Sequence, residues 1–235
     1  MYDDFVDILK KDPVRNIAAL GFFGNYCVKD AFRIGDTVLL LGKSDHLWAY
    51  ISGTCKSELE ELLKKFPVKT KYFASVEEWM KPVIAGESEI AWEMETSRFV
   101  LPESVKMDPP SDKTFRLDTS FVGHIFSNSD YSAFTSEEYI AERIERGFSA
   151  GILEGGTLAA WGLTHDDDSL GFLHVLPQFR GKGYARDITL AMVSQKRKEH
   201  KPAFLNIVTG NDKALKLVTG FGFEFDRKIS WLKLK

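Results

Sequence analysis

Apolar positions along the chain follow two rhythms: a spacing of three and four that marks amphipathic helices, and short alternating or continuous runs that mark strands. In the first half, Phe5, Ile8 and Leu9 share one helical face, which Pro13 closes. The apolar run 38–41 turns at 42–45 and returns as 47–51, a hairpin. Ser57 and Glu60 have the spacing of a capping box, and Leu59, Leu62, Leu63 and Phe66 form a single stripe ahead of Pro67. A strand near 71–74, a short helix near 77–80 and a strand near 89–95 complete this half. Residues 101–113 carry Pro102, Pro109 and Pro110 among Asp and Ser, break every period and read as a linker. A boundary near residue 110 divides the chain into domains 1–110 and 111–235.

The second half is more sharply punctuated. Thr135 and Glu138 box the start of a helix with Tyr139, Ile140 and Ile144 on its apolar side and Gly147 as its C′ residue. A strand at 149–153 meets Gly155-Gly156, the dipeptide of a tight hairpin, and returns as 157–164. After a turn at 165–169 comes a buried strand, 170–176, that Pro177 ends. A glycine-rich loop, a long helix over 184–200, a strand over 203–208, a helix from Asn211 and a final strand pair from Phe223 follow. Helices and strands alternating in this way predict an α/β protein.

Composition narrows the classes. Of 235 residues, 44% are hydrophobic and 28% charged, which fits a globular chain and excludes disordered and fibrous ones. With 31 Lys plus Arg against 34 Asp plus Glu, the net charge of −3 offers no field for nucleic acid or acidic lipid. No apolar run approaches the about 20 residues a bilayer span needs. Cys27 and Cys55 lack a CxxC spacing and are too few for a disulfide framework, and Asp3, Asp4 and Asp7 do not fit a signal peptide, so a reducing cytoplasm is expected.

Candidate chemistry concentrates after the buried strand, in Leu176-Pro177-Gln178-Phe179-Arg180-Gly181-Lys182-Gly183-Tyr184-Ala185. A strand feeding a Gly-x-Gly turn that opens a helix makes an anion site. The glycines permit close backbone approach, and unpaired N–H groups at the helix start point at the anion. It is neither a P-loop nor a dinucleotide-binding Gly-x-Gly-x-x-Gly. Nearby, Asp166, Asp167 and Asp168 read first as a solvated turn. His165 beside them does not make a metal site, because consecutive residues rarely converge on one ion. Lys196, Arg197, Lys198 and Lys201 read as solvated charges complementing the helix dipole.

This stretch resembles the GNAT superfamily of acyl-CoA-dependent N-acyltransferases. Its (Gln/Arg)-x-x-Gly-x-(Gly/Ala) signature is met by Gln178, Gly181 and Gly183, and again by Arg180, Gly183 and Ala185. A second family element, Asn-x-x-Ala-x-x-Leu-Tyr-x-x-x-Gly-Phe, is matched by Asn211, Ala214, Leu217, Gly222 and Phe223, with Val218 in place of the tyrosine. The resemblance covers about 115–235, and 137–184 is similar to the glycine N-acyltransferase-like branch. It implies an α/β (α+β) fold with a mixed, mostly antiparallel sheet flanked by helices, preceded by a second, degenerate GNAT-like half without a CoA loop.

The resemblance also implies a function: transfer of an acyl group, acetyl by preference, from acyl-CoA to a primary amine by direct attack in a ternary complex. Acetyl-CoA or another acyl-CoA is the co-substrate, and no metal is needed. The acceptor is a small molecule or amino acid, with contacts from the helices between Phe121 and Arg146 and from the N-terminal half; nucleic acid and membrane are not partners. Val175 and Leu176 would pair with the pantetheine arm, and the amides from Arg180 through Lys182 and Gly183 to Tyr184 and Ala185 would hold the pyrophosphate. Gln178 and Ala214 belong to the same cofactor set, and Asn211 would touch the pantetheine. Val218 cannot donate a proton as the family's tyrosine does. The base stays open between His174, within the strand, and Asp168, in the turn. The missing tyrosine motivates an alternative: a non-catalytic CoA-binding sensor.

Overall fold

The computed structural model describes residues 2–129 and 135–235. Helices α1 (Asp3–Leu9) and α2 (Ile17–Asn25) lead into strands β1 (Val28–Ile34), β2 (Thr37–Lys43) and β3 (Leu47–Ser52). Then come α3 (Lys56–Lys65), β4 (Tyr72–Glu77), α4 (Lys81–Ala85) and β5 (Ile90–Leu101). The rest of the chain contains β6 (Thr114–Phe115), α5 (Val122–Ser127), α6 (Glu137–Arg146), β7 (Ser149–Glu154), β8 (Thr157–Thr164) and β9 (Leu170–Val175). It ends with α7 (Tyr184–Lys198), β10 (Ala203–Val208), α8 (Asp212–Gly220) and β11 (Glu224–Leu234).

Two compact units form. The first comprises Met1–Arg98, Ile207–Asn211 and Phe225–Lys235, and the second Phe99–Asn206 and Asp212–Glu224. The sequence reading cuts the chain once, at residue 110, whereas these units divide it differently and return the last strand to the first unit. A linear pattern of prolines cannot signal such a return.

Each unit is built on the same plan, a mostly antiparallel sheet flanked by helices. In the first, β1, β2 and β3 pair antiparallel, α3 crosses over, and β4 joins β3 in parallel. Strand β11 then lies between β4 and β5. In the second, β7, β8 and β9 pair antiparallel, α7 crosses over, and β10 meets β9 in parallel, with β6 at the far edge. The α3 stripe read from the sequence packs Leu59 and Leu62 onto Leu39, Leu41, Phe73 and Val76. In the second unit, Ile140 and Ile144 of α6 pack with Trp161, Leu163 and Leu176.

Local differences from the sequence reading have physical causes. Helix α3 starts at Lys56 with no side-chain cap, so Ser57 and Glu60 form no box. Instead Glu58 accepts from Thr37 Oγ1 at 2.8 Å and from the amides of Asp36 and Thr37. At α6 the cap is Ser136, whose hydroxyl accepts from the Tyr139 amide, one residue later than the Thr135 box. Gly147 follows α6 with extended backbone, not left-handed. Its glycine is required because a Cβ there would lie 2.4 Å from Thr164 Oγ1 and 2.8 Å from the Arg143 carbonyl. Gly155 and Gly156 both have positive φ, 59° and 80°, as a two-residue hairpin of this type demands. Strand β5 runs through Leu101 into the expected linker, and β11 is one continuous strand instead of a pair.

Candidate functional site

Strand β9 pairs along its length with β8 but meets β10 at one position, Leu205 against Leu170. Beyond that pair, the other edge of β9 carries no strand of the second unit among the described residues. The Leu176 N–H donates to Ala159 O at 2.9 Å, toward β8. Strand alternation therefore turns the N–H and C=O of Val175 to the open edge. Leu176, expected beside Val175 on that edge, has its N–H in the sheet and its C=O bound by the Phe179 amide. The edge contact expected of Leu176 is thus corrected to Val175 alone. The Arg180 Nε donates to the Val175 carbonyl at 3.1 Å.

A bulge interrupts the same strand. Trp161 opposes His174 and Leu163 opposes Gly171, so Gly162 alone faces both Phe172 and Leu173. The bulge leaves the ladder locally incomplete. Phe172 takes φ 51°, a left-handed conformation costly for a bulky residue, about 1 to 3 kcal/mol. Phe172 is held there by the His165 ring at 4.8 Å and the Tyr139 ring at 6.1 Å. Gly162 is glycine because α7 presses on it: a Cβ would come within 2.6 Å of Met192 Sδ and 2.8 Å of Ile188 Cγ2.

The loop after β9 is open. Gly181 and Gly183 adopt φ 81° and 82°, and a Cβ added at either would meet nothing within 4 Å. Gly183 caps α7 in the left-handed conformation with no side-chain partner, and the first turn bond runs from the Asp187 amide to Gly183 O. The amides at the start of a helix have no partner within it, so Tyr184, Ala185 and Arg186 present N–H groups to the loop mouth. The Arg180 amide is already spent on Pro177 O. The charges around the mouth are balanced. Lys182 reaches Glu154 at 2.6 Å, and the Tyr184 hydroxyl donates to the other Glu154 oxygen at 2.5 Å. Arg186 pairs with Asp108. The Lys182 bond holds the Glu154 carboxyl below its usual range, and the Glu154 bond raises the Tyr184 hydroxyl. Sequence reasoning missed Glu154, because it ends a strand 28 residues before Lys182.

The two candidate bases separate. Asp168 is buried, and its carboxylate pairs at 3.0 Å with the Lys196 ammonium, itself 0% exposed and bonded to the Asp168 carbonyl. Its assignment as a solvated turn residue and as a candidate base is therefore corrected to a structural ion pair, and Lys196 is no solvated dipole charge. Asp168 precedes β9, whereas the loop follows it, five residue steps and about 17 Å of strand away. The neighbouring Asp167 accepts from the Ser169 amide and hydroxyl, and burial pushes its carboxyl up.

His174 lies on the opposite strand face from α7, stacked on Trp161 at 4.7 Å with an interplanar angle of 20°. His124 of α5 meets the other side of the Trp161 neighbourhood edge-on at 5.5 Å, its Nε2 3.0 Å from Leu158 O. Of the expected acceptor segment 121–146, residues 130–134 lie outside the described residues. Gln178 is exposed in the 3-10 turn Pro177–Phe179. Asn211 immediately precedes α8, its amide bound to Val208 O, and Ala214 lies within that helix. Val218 is 4% exposed, packed in the core. Among the described residues, no three His, Cys, Asp or Glu side chains are placed to hold a metal, and no helix is long and apolar enough to cross a membrane.

The family model described as FR47-like protein matches residues 147–232, the part of the chain that holds β9, the loop and α8. The fold is that of the GNAT acetyltransferases. A Drosophila protein of known X-ray structure superposes with a TM-score of 0.80 at 18% identity, over 99% of this chain and 95% of that one. A GCN5-related N-acetyltransferase-like protein from Streptococcus suis gives 0.57 at 14% identity, over 99% and 98%. A tandem GNAT protein from the clavulanic acid biosynthesis pathway gives 0.54 at 13%, over 98% and 93%. No curated protein matches the sequence. The duplicated plan of strands in the two units accords with a tandem GNAT arrangement.

Proposed function

We propose that the chain is an acyl-CoA-dependent N-acyltransferase, of acetyl by preference, acting on the primary amine of a small molecule or amino acid. The observation that carries this reading is the β9 edge at Val175, held only by the Arg180 side chain among the described residues, running directly into an uncapped, left-handed glycine loop and the helix start at α7. The residues fit the group. The open cradle over Gly181 and Gly183 accommodates a pyrophosphate, the amides of Tyr184 and Ala185 donate to it, and Lys182 and Arg180 supply charge. Gln178 flanks the same mouth, and Asn211 and Ala214 complete the cofactor set on the α8 side. Bound acyl-CoA supplies an activated thioester carbonyl. Val175 offers its N–H and C=O to the pantetheine amides once Arg180 lets go, and a bulge amide at Phe172 or Leu173 polarises the carbonyl, a donor worth roughly 3 kcal/mol in comparable sites. His174 takes a proton from the acceptor's ammonium so that the neutral amine attacks the thioester carbonyl, and CoA leaves as its thiolate.

The acceptor is a soluble amine and not a nucleic-acid-bound one, in keeping with the net charge of −3. The unpaired thiols Cys27 and Cys55 suit a reducing cytoplasm. The first unit serves as a non-catalytic partner half and the second as the catalytic one, as in the glycine N-acyltransferase-like branch. Buried Val218 favours a second reading, a sensor that binds acyl-CoA and turns nothing over.

Thiol release from acetyl-CoA over a panel of primary amines separates the two. Release above background hydrolysis, falling about 100-fold in His174→Ala with loss of the ascending limb of the pH–rate profile, is expected for the enzyme. Binding without release supports the sensor, and an unchanged pH profile in His174→Ala removes His174 as the base.

A further inference from the structure

Of the described non-glycine residues with positive φ, Ser75, Asp168 and His200 are small or polar, and Phe172 is the bulky exception. It stands in the β9 bulge, where a glycine would adopt the same backbone without strain. A phenylalanine persists in such a conformation only when its surroundings over-determine it. The contacts of the Phe172 ring therefore set the direction of the bulge peptides.

Those contacts come from two elements. The His165 ring, in the turn between β8 and β9, lies 4.8 Å from the Phe172 ring at an interplanar angle of 35°, and the Tyr139 ring of α6 lies 6.1 Å away at 34°. Both distances fall in the range at which aromatic pairs attract. Each partner is itself fixed. The His165 ring covers the backbone of Gly171, so that any Cβ there would overlap it. The His165 N–H donates to Ser169 O at 2.9 Å, and its C=O accepts from the Asp168 amide at 3.0 Å. The Tyr139 hydroxyl accepts from the Asp166 amide at 3.1 Å, and the Arg143 guanidinium sits over the Tyr139 ring at 5.7 Å. Helix α6 thus holds the turn by its backbone and the bulge by a ring, and the turn supplies the second ring. An ordinary strand residue would serve such packing equally well, without the left-handed backbone.

We propose that Tyr139 and His165 are positioning residues that hold Phe172 in its left-handed conformation and so aim the amide of Phe172 or Leu173 at the thioester carbonyl. The inference rests on the acyltransferase reading and deepens it. It gives the aromatic face of α6 and the turn before β9 a part in polarising the carbonyl, apart from the loop that holds the pyrophosphate.

Infrared difference spectra of acetyl-CoA, isotope-labelled at the acyl carbonyl and bound to the full chain, test it. In wild type the bound carbonyl band should lie below its position in free acetyl-CoA. His165→Ala and Phe172→Gly should each return the band toward the free position and lower kcat at least about tenfold. Acetyl-CoA affinity by calorimetry should stay within about twofold, because the loop is untouched, and a merely structural loss would not move the band while sparing affinity. Tyr139→Ala should behave likewise, and Tyr139→Phe, which keeps the ring, should keep the shifted band. Glycine accepts the backbone of Phe172 without strain, so Phe172→Gly decides the matter should His165→Ala fail to fold. A shifted band retained in Phe172→Gly and in whichever ring variants fold overturns the proposal. Acetyl-CoA bound to wild type with no shift also overturns it and leaves the acyltransferase reading standing. Wild type that binds no acetyl-CoA removes that reading, and the proposal with it.

Discussion

The two units share one order of strands and differ in how each enters its crossover helix. In the second, residues 176–183 separate β9 from α7 and contain two left-handed glycines exposed to solvent. In the first, only 53–55 separate β3 from α3, and the Glu58 carboxylate occupies the first turn of that helix, engaged with Thr37. An acid at a helix N-terminus fills the place where an anion would gain from the dipole. The same topology thus yields an open glycine loop in one unit and a short entry occupied by an acid in the other.

The comparison breaks most visibly at the loop. Gly183→Glu places a carboxylate in the cradle and should abolish acetyl-CoA binding measured by calorimetry. Micromolar affinity, about −8 kcal/mol, would be lost whole. Lys56→Glu at the matching helix start of the first unit should leave it unchanged. Equal losses would mean that both units bind the cofactor.

Buried charge sharpens the contrast. Among the described residues each unit holds a buried ion pair, Arg98 with Asp226 in the first and Lys196 with Asp168 in the second. Lys196→Met strands the Asp168 carboxylate and should cost about 3 to 5 kcal/mol in urea unfolding, most of it recovered by adding Asp168→Asn. Asp168→Asn that lowers turnover without lowering stability would restore Asp168 as a catalytic candidate.

The smallest effect concerns pH. Burial holds the His165 imidazole below its usual 6.5, with Asp166 opposing and Arg143 adding to the shift. The unfolded chain then binds the proton more readily than the native one, so stability present above pH 6.5 is lost as pH falls. Asp167, pushed up by burial, has the opposite sign in a lower window: stability falls as pH rises above 3.8. The first unit's buried pair rests on an arginine, which does not titrate here. His165→Asn should flatten the slope of melting temperature between pH 6.5 and 5; an unaltered slope would place the acid sensitivity elsewhere.

Legibility in the sequence followed distance along the chain. The loop could be read because its glycines, its preceding strand and its helix are adjacent, so local chemistry dictates local geometry. The hairpin at Gly155-Gly156 and the α3 stripe were legible for the same reason. Helix α2 was missed because apolar residues surround it and Gly21 and Gly24 blur its period, and β1 because an edge strand carrying Lys29, Asp30 and Arg33 lacks a buried alternation. The ion pair of Asp168 with Lys196 joins residues 28 apart, and Glu154 reaches Lys182 over the same span. Strand bulges leave no residue signature either: the positive φ of Phe172 falls on a residue that would normally avoid it.

Strand β11 has a consequence for the order in which the protein is made. The first unit's sheet takes its strand between β4 and β5 from Glu224–Leu234, at the far end of the chain. A ribosome delivers some hundred residues of that unit long before it delivers the strand that completes them, so the edges of β4 and β5 must wait in a growing chain, exposed to wrong partners. The strands made earlier are thus among those completed late, and a nascent chain released before residue 224 would lack the strand that joins β4 to β5.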